Sequence, residues 1–372
     1  MNVRTLSDRE LNRATLDRQL LLHRSGMDAA QAVEHLVGLQ TQIPPNHYVA
    51  LWSRLTDFDA QAFSQRFENH EFVRISLQRS TIHTVTARDC LPLRQLLQPV
   101  QDRNLKGAFG KRLQGIDLTE LAERARKFTE QEPLTLNDLG KLLAESYPEH
   151  EVQALGVAAR NNLALVQVTP RGLWQQGGLP KHTTAEHWFG NTKAVPAMRA
   201  EELVLRYLTA FGPASVMDAQ NWSGLTGLRE VFDKLRADLV VFRSESGTEL
   251  FDLPDAPRPG EDVPAPGRFL PDYDNVFIGH KDRARINDPR VPKERVFSGN
   301  TPISTFTVDG WIRGVWKVET DKKRTTATMN LTPLVPITKA QRADLEAEGG
   351  RLLEFLVPGA DHDLRWHEDE NG

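Results

Sequence analysis

The feature that most narrows the fold of this chain is a repeated order of elements. Leu118–Thr129 carries apolar residues at helical spacing, Pro133-Leu134-Thr135 interrupts the run, and shorter helical stretches follow over Leu136–Glu145 and Val152–Asn162. An apolar strand, a Pro-Arg-Gly turn and a second strand then read as a hairpin in LALVQVTPRGLWQQGG. The scheme returns downstream as a helix over Glu201–Ala210, the turn Phe211-Gly212-Pro213-Ala214-Ser215, helices over Val216–Trp222 and Leu228–Leu235, and the hairpin LVVFRSESGTELFDLP. Helix, tight turn, helix, helix, hairpin is the order of a winged helix, the helix-turn-helix variant with a β-wing.

A less regular third copy opens the chain. It has a helix over Asp8–Leu22, a break at Ser25-Gly26, a helix from Asp28 to Gln40, a later helix over Asp59–Glu68 and an alternating wing in VRISLQRSTIHTVTA. PDAPRPGEDVPAP, from Pro254 to Pro266, reads as a linker, because proline forbids regular helix and removes backbone donors. Beyond it come β-rich segments and one late helix over Lys339–Leu353. The expected architecture is α+β: winged helices at 1–110, 117–190 and 196–255, then a small β-barrel-like domain at 264–372. A chain of 372 residues has the length for several such cores.

Composition excludes several function classes. No apolar run approaches the ~18 residues of a membrane span, and the charged N-terminus lacks a signal-peptide core, so a cytoplasmic protein without membrane partners is expected. The single cysteine, Cys90, supplies neither an internal disulfide nor a cysteine-based zinc or iron–sulfur site. The formal charge of -4 argues against indiscriminate polyanion binding, yet the charges are segregated. Arg74–Lys127 holds eleven Lys or Arg against five Asp or Glu, whereas Asp361–Glu370 holds one against five. Such runs are ordinarily solvated surface and otherwise mark a phosphate-binding face.

The sharpest local feature is Gly38-Leu39-Gln40-Thr41-Gln42-Ile43-Pro44-Pro45. Pro44 drives Ile43 out of the α region, so the helix stops at the glutamines. If the chain is already extended there, Gln40 and Gln42 point the same way and present two amides to one place. On composition alone, two glutamines at a helix end are surface or capping groups.

The chain resembles the bacterial winged-helix DNA glycosylases of the AlkZ type, which carry a Gln-x-Gln motif just after an early helix. Gln40-Thr41-Gln42 matches it, and RSTIHTV, GPASVMDAQNWSGL, FLPDYDNVFIGHKDR and VDGWIRGVW agree elsewhere. The middle residue is polar Thr41 where an apolar one is expected. The resemblance implies a monomeric, monofunctional glycosylase with Gln40 and Gln42 as catalytic residues. It further implies a basic inner face, no metal or other cofactor, and double-stranded DNA bearing N7-alkylated or crosslinked purines, azinomycin-like lesions among them, as the partner.

Arg79, His83, Lys281, Arg283, Arg285, Lys322, Lys323 and Arg324 are the expected DNA contacts, the last three at the tip of the hairpin KVETDKKRTTATM. His182, Glu186 and His187 are poorly spaced for zinc, and Asp272 and Asp274 fit turn and capping roles better than a calcium loop. Two competing readings are a non-catalytic winged-helix regulator and a scaffold without a nucleic-acid role. Release of free base from alkylated DNA separates the enzyme from the first, and salt-dependent DNA binding separates both from the second.

Overall fold

Side-chain caps set many helix starts in this computed structural model, which describes residues 3–190, 195–298 and 301–368. Capping boxes open the helices Asp8–Arg18, Ala29–His35, Val216–Ser223 and Lys339–Leu356. The helix expected to reach Gln40 ends at His35 instead. Val37 and Gly38 take φ of 54° and 90°, and the Gly38 N–H donates back to the Val33 carbonyl, so the chain leaves the helix in a left-handed turn before the prolines act.

The expected helix order recurs over Leu118–Gln131, Leu136–Ala144 and Val152–Asn162, and over Ala200–Phe211, Val216–Ser223 and Leu228–Leu235. Where the helices 136–144 and 152–162 cross, a Cβ on Gly140 or Gly156 would lie 2.1 Å from a facing carbonyl oxygen, so only glycine permits the approach. The hairpin after the first triplet is displaced. Residues 170–175 form turns and 176–180 irregular chain, because Leu173 is buried among the aromatic residues of the N-terminal region and Trp174 tilts against Tyr48 with ring centroids 4.6 Å apart; the second strand is Lys181–Thr184.

That hairpin is not a separate wing. An antiparallel six-stranded sheet runs in the order Leu39–Gln40, Ile82–Thr86, Phe72–Ser76, Leu165–Gln167, Lys181–Thr184, Leu134–Thr135, joining the first and second helical regions. One face carries Val73, Ile75 and Val85 against Tyr207 and Trp222 of the third region. The other carries Leu39 and Phe72 against an aromatic cluster with Tyr48, Phe63 and Phe67. The chain start also closes on the third region, where Thr5–Leu6 pairs in parallel with Val240–Ser244.

The C-terminal region corrects the expectation of a barrel. Arg268–Leu270, Thr305–Val308, Trp311–Thr320, Thr326–Pro333 and Asp361–Trp366 form an open five-stranded sheet, covered by the helix Lys339–Leu356 through Leu345, Leu352 and Leu353. Its last strand comes from the acidic tail, of which Asp369 and Glu370 lie outside the described residues. The proline-rich linker is pinned. Arg9, Arg13 and Arg18 of the first helix donate to the carbonyls of Glu261, Val263 and Pro257 at 2.6, 2.6 and 3.0 Å. Buried pairs of Arg18 with Asp252 at 2.6 Å and Arg54 with Asp274 at 2.7 Å tie the N-terminal region to the third and C-terminal regions.

Candidate active site

Gln40 ends a two-residue strand on the edge of the six-stranded sheet, opposite His83. The backbone stays paired one residue further, with the Thr41 N–H donating to the Ile82 carbonyl at 2.8 Å. Alternation along this extended chain separates the motif's side chains. Gln40 faces the third region with His83, and Thr41 faces the aromatic cluster.

The two glutamines differ in exposure and share one partner element. Gln40 is 6% exposed, and its Oε1 accepts from the guanidinium of Arg79 at the tip of the hairpin Phe72–Ser76/Ile82–Thr86. Gln42 is exposed, and its Oε1 accepts from the Ile82 N–H of the same hairpin at 3.3 Å. Both donors can only donate, so each amide turns its oxygen toward the hairpin. Each oxygen keeps a second lone pair. Asn275 holds the edge strand from the other side, accepting from the Gln40 N–H at 3.2 Å and donating to the Gly38 carbonyl at 2.7 Å.

Thr41 earns its polarity on the opposite face. Its Oγ1 lies 3.0 Å from Oγ1 of Thr84, which is 2.9 Å from Nδ1 of His47, whose Nε2 lies 3.1 Å from the Gly172 carbonyl. Arg74 donates to the Thr41 carbonyl at 2.6 Å and to Gln167 Oε1 at 2.5 Å. An apolar middle residue would leave this buried network short of a partner.

Burial dominates the electrostatics. Arg74 has no ion pair among the described residues, and burial, with the charge of Arg171, pulls its pKa down to about 9. Arg79 also lacks an ion pair, and burial, aided by Arg283, lowers it to about 10. His83 is driven down to about 3 by burial and by the charge of Arg79, so it is neutral at physiological pH; its Nδ1 is 2.9 Å from the Thr81 carbonyl.

Of the expected DNA contacts, three point inward. Arg79 serves Gln40 and the Trp222 carbonyl, His83 is 3% exposed, and Arg285 is buried, donating to the Pro213 carbonyl at 2.8 Å. Arg74 and Arg94 of the basic run are buried too. Lys281 is exposed, while Arg283 is half-buried over Phe277 at 5.1 Å. Lys322, Lys323 and Arg324 form an exposed hairpin tip of the C-terminal sheet, with Arg324 donating to the Leu356 carbonyl at 2.8 Å. Arg74, Thr84, His47 and Asn275 escaped the sequence reading. Arg74 and Thr84 are polar residues within strands, and His47 and Asn275 lie in the helices Asn46–Arg54 and Asn275–Ile278, where nothing local marks them as partners of the edge strand.

A family model described as DNA glycosylase AlkZ-like matches residues 33–355. Among solved structures, the Streptomyces sahachiroi DNA glycosylase AlkZ superposes with a TM-score of 0.77 at 17% identity, covering 98% of this chain and 100% of that one. No curated protein matches the sequence.

Proposed function

The chain belongs to the AlkZ-like DNA glycosylase family, and from that premise we propose that it hydrolyses the N-glycosidic bond of N7-alkylated purines in duplex DNA, crosslinked ones included. The observation that carries this reading is the arrangement of Gln40 and Gln42, two neutral amides whose oxygens both accept from one hairpin.

An N7-alkylated guanine is cationic, so when the C1′–N9 bond breaks the electron pair neutralises the base and no general acid is required. The remaining task is to hold a water at C1′ as the sugar becomes oxocarbenium-like. Gln42, being exposed, is the amide that reaches the reacting groups. Its oxygen has one lone pair free to accept from that water, and its NH2 can donate to the departing base or a phosphate. Water oxygen bonds to C1′ and its proton passes to solvent. Gln40, nearly buried behind it, completes the pair of amides at the reaction site. Lys281, Arg283, Lys322, Lys323 and Arg324 are the basic groups left for the DNA backbone. We read the three helical regions as tandem winged helices and the protein as a monomer. Protection of a producer of alkylating natural products against its own agent is a setting that fits this chemistry.

The test is base release under single turnover from a duplex with N7-methylguanine and unhooking of an azinomycin-crosslinked duplex. Release of the modified base supports the reading. Full activity of both Gln40→Ala and Gln42→Ala would end it.

A further inference from the structure

We propose that Arg79 is a positioning residue of the glycosylase site: its guanidinium orients the Gln40 amide and ties it to the third helical region through the Trp222 carbonyl. This rests on the assignment of Gln40 to the reaction site.

The wing tip is built to turn this side chain inward. Arg79 and Ser80 take φ of 52° and 59°, a left-handed pair that L-residues adopt rarely, and the other tip side chains are also answered from within. Gln78 Nε2 donates to the Val37 carbonyl at 3.0 Å and Ser80 Oγ to Gln101 Oε1 at 2.8 Å. The third region comes up against the tip at Gly224, where a Cβ would lie 3.2 Å from the Arg79 nitrogen and 2.9 Å from Val100 Cγ1. Gly224 has φ of +81°, so a larger residue is disfavoured by conformation as well as by space.

A half-buried guanidinium without a carboxylate partner among the described residues is an expensive way to hold a loop. What distinguishes it from other side chains is its fork: one nitrogen meets the Trp222 carbonyl and another meets Gln40 Oε1, two acceptors on separate regions of the chain. Because a guanidinium only donates, it fixes the oxygen as the end of the Gln40 amide that faces it, and with it the plane of the amide. A lysine at this position offers a point charge and cannot span both acceptors in the same plane.

The experiment is a double-variant cycle on the full chain. It uses Arg79→Ala, Gln40→Ala and the pair, read as the single-turnover rate of N7-methylguanine release at saturating enzyme, with duplex affinity measured alongside. Arg79→Ala is expected to slow the chemical step at least tenfold with affinity within about threefold of wild type, and to add less than twofold in the Gln40→Ala background. Millimolar guanidinium is expected to restore rate to Arg79→Ala and not to the double variant. Should Arg79→Ala fail to fold, Arg79→Lys takes its place and is expected to slow the chemical step at a native melting temperature.

A wild-type rate in the folded variant overturns the proposal. So do effects of the two substitutions that multiply in full, and an effect confined to affinity and its salt dependence, which marks a phosphate contact. Wild-type protein inactive on every alkylated duplex would strike the functional reading instead.

Discussion

Two hairpins carry basic tips, and the fold uses them in opposite ways. At the tip Gln78–Ser80 the side chains fold back: Arg79 to Gln40 and Trp222, Gln78 to Val37, Ser80 to Gln101. At the tip between Trp311–Thr320 and Thr326–Pro333 the turn is held from within while both lysines stay outside, and only Arg324 of the basic residues turns back, to the Leu356 carbonyl. The Asp321 carboxylate accepts from the N–H groups of Lys323, Thr325 and Thr326 at 3.0, 2.6 and 2.8 Å, which lowers its pKa to about 2, and Lys322 and Lys323 remain exposed. A basic residue in a turn is therefore ambiguous. Whether it meets phosphate or protein depends on what packs against the turn.

The largest expected effect belongs to the inward tip. Gln42→Ala should slow base release under single turnover by about a hundredfold, the scale of losing one preorganised polar contact, with duplex affinity little changed. A loss seen in affinity alone would erase the distinction between the tips.

Acid separates them next. His83 beneath the first tip stays neutral to a pH of about 3, and His280 likewise, whereas an unfolded histidine gains its proton near 6.5. Between those values the unfolded chain binds more protons. Stability is thus full above about 6.5 and is lost as pH falls, by at most ~1.4 kcal/mol per pH unit for each such histidine. Thermal unfolding from pH 7 to 5 should show this slope, and His83→Gln should make it shallower. Asp321, held below its usual range, contributes in this window only at its acid end.

Removing charge at the outward tip should act on binding only. Lys322→Ala with Lys323→Ala should flatten the slope of log affinity against log salt by about 0.9 per lost phosphate contact, at an unchanged rate for bound DNA. A slowed chemical step in that variant would show that the two tips cooperate in the reaction. The smallest effect is expected at the motif's middle residue. Thr41→Val takes the Thr41 hydroxyl from Thr84, while His47 keeps the Thr84 hydroxyl, and should cost about 1 kcal/mol of stability in urea unfolding.

Much of the secondary structure was legible. Val152–Asn162 and Leu228–Leu235 fall at the boundaries their apolar spacing predicts, and the hairpins at 72–86, 240–252 and 311–333 stand where strand alternation and turn residues put them. The errors have specific causes. The helix from Asp28 was carried past Gly38 because prolines were read as its stop, although a glycine at φ 90° had already ended it. Leu173 and Trp174 were read as strand because apolar residues near a turn look alike whether they pair or plug a neighbouring core. The barrel was expected from strand content, and strand content does not say whether a sheet closes.

The candidate site divides in the same manner. That Gln40 lies on a strand and Gln42 just past its end follows from glycine, proline and alternation, which act over a few residues and are written locally. The partners that brace them do not follow. Arg79 lies 39 residues from Gln40 and Trp222 lies 143 from Arg79, while Asn275 lies 235 from Gln40. Sequence settled which residues could pair and turn here, since backbone sterics and periodicity are short-range. Only the tertiary structure decided which charges went inside, because burial depends on what distant segments cover.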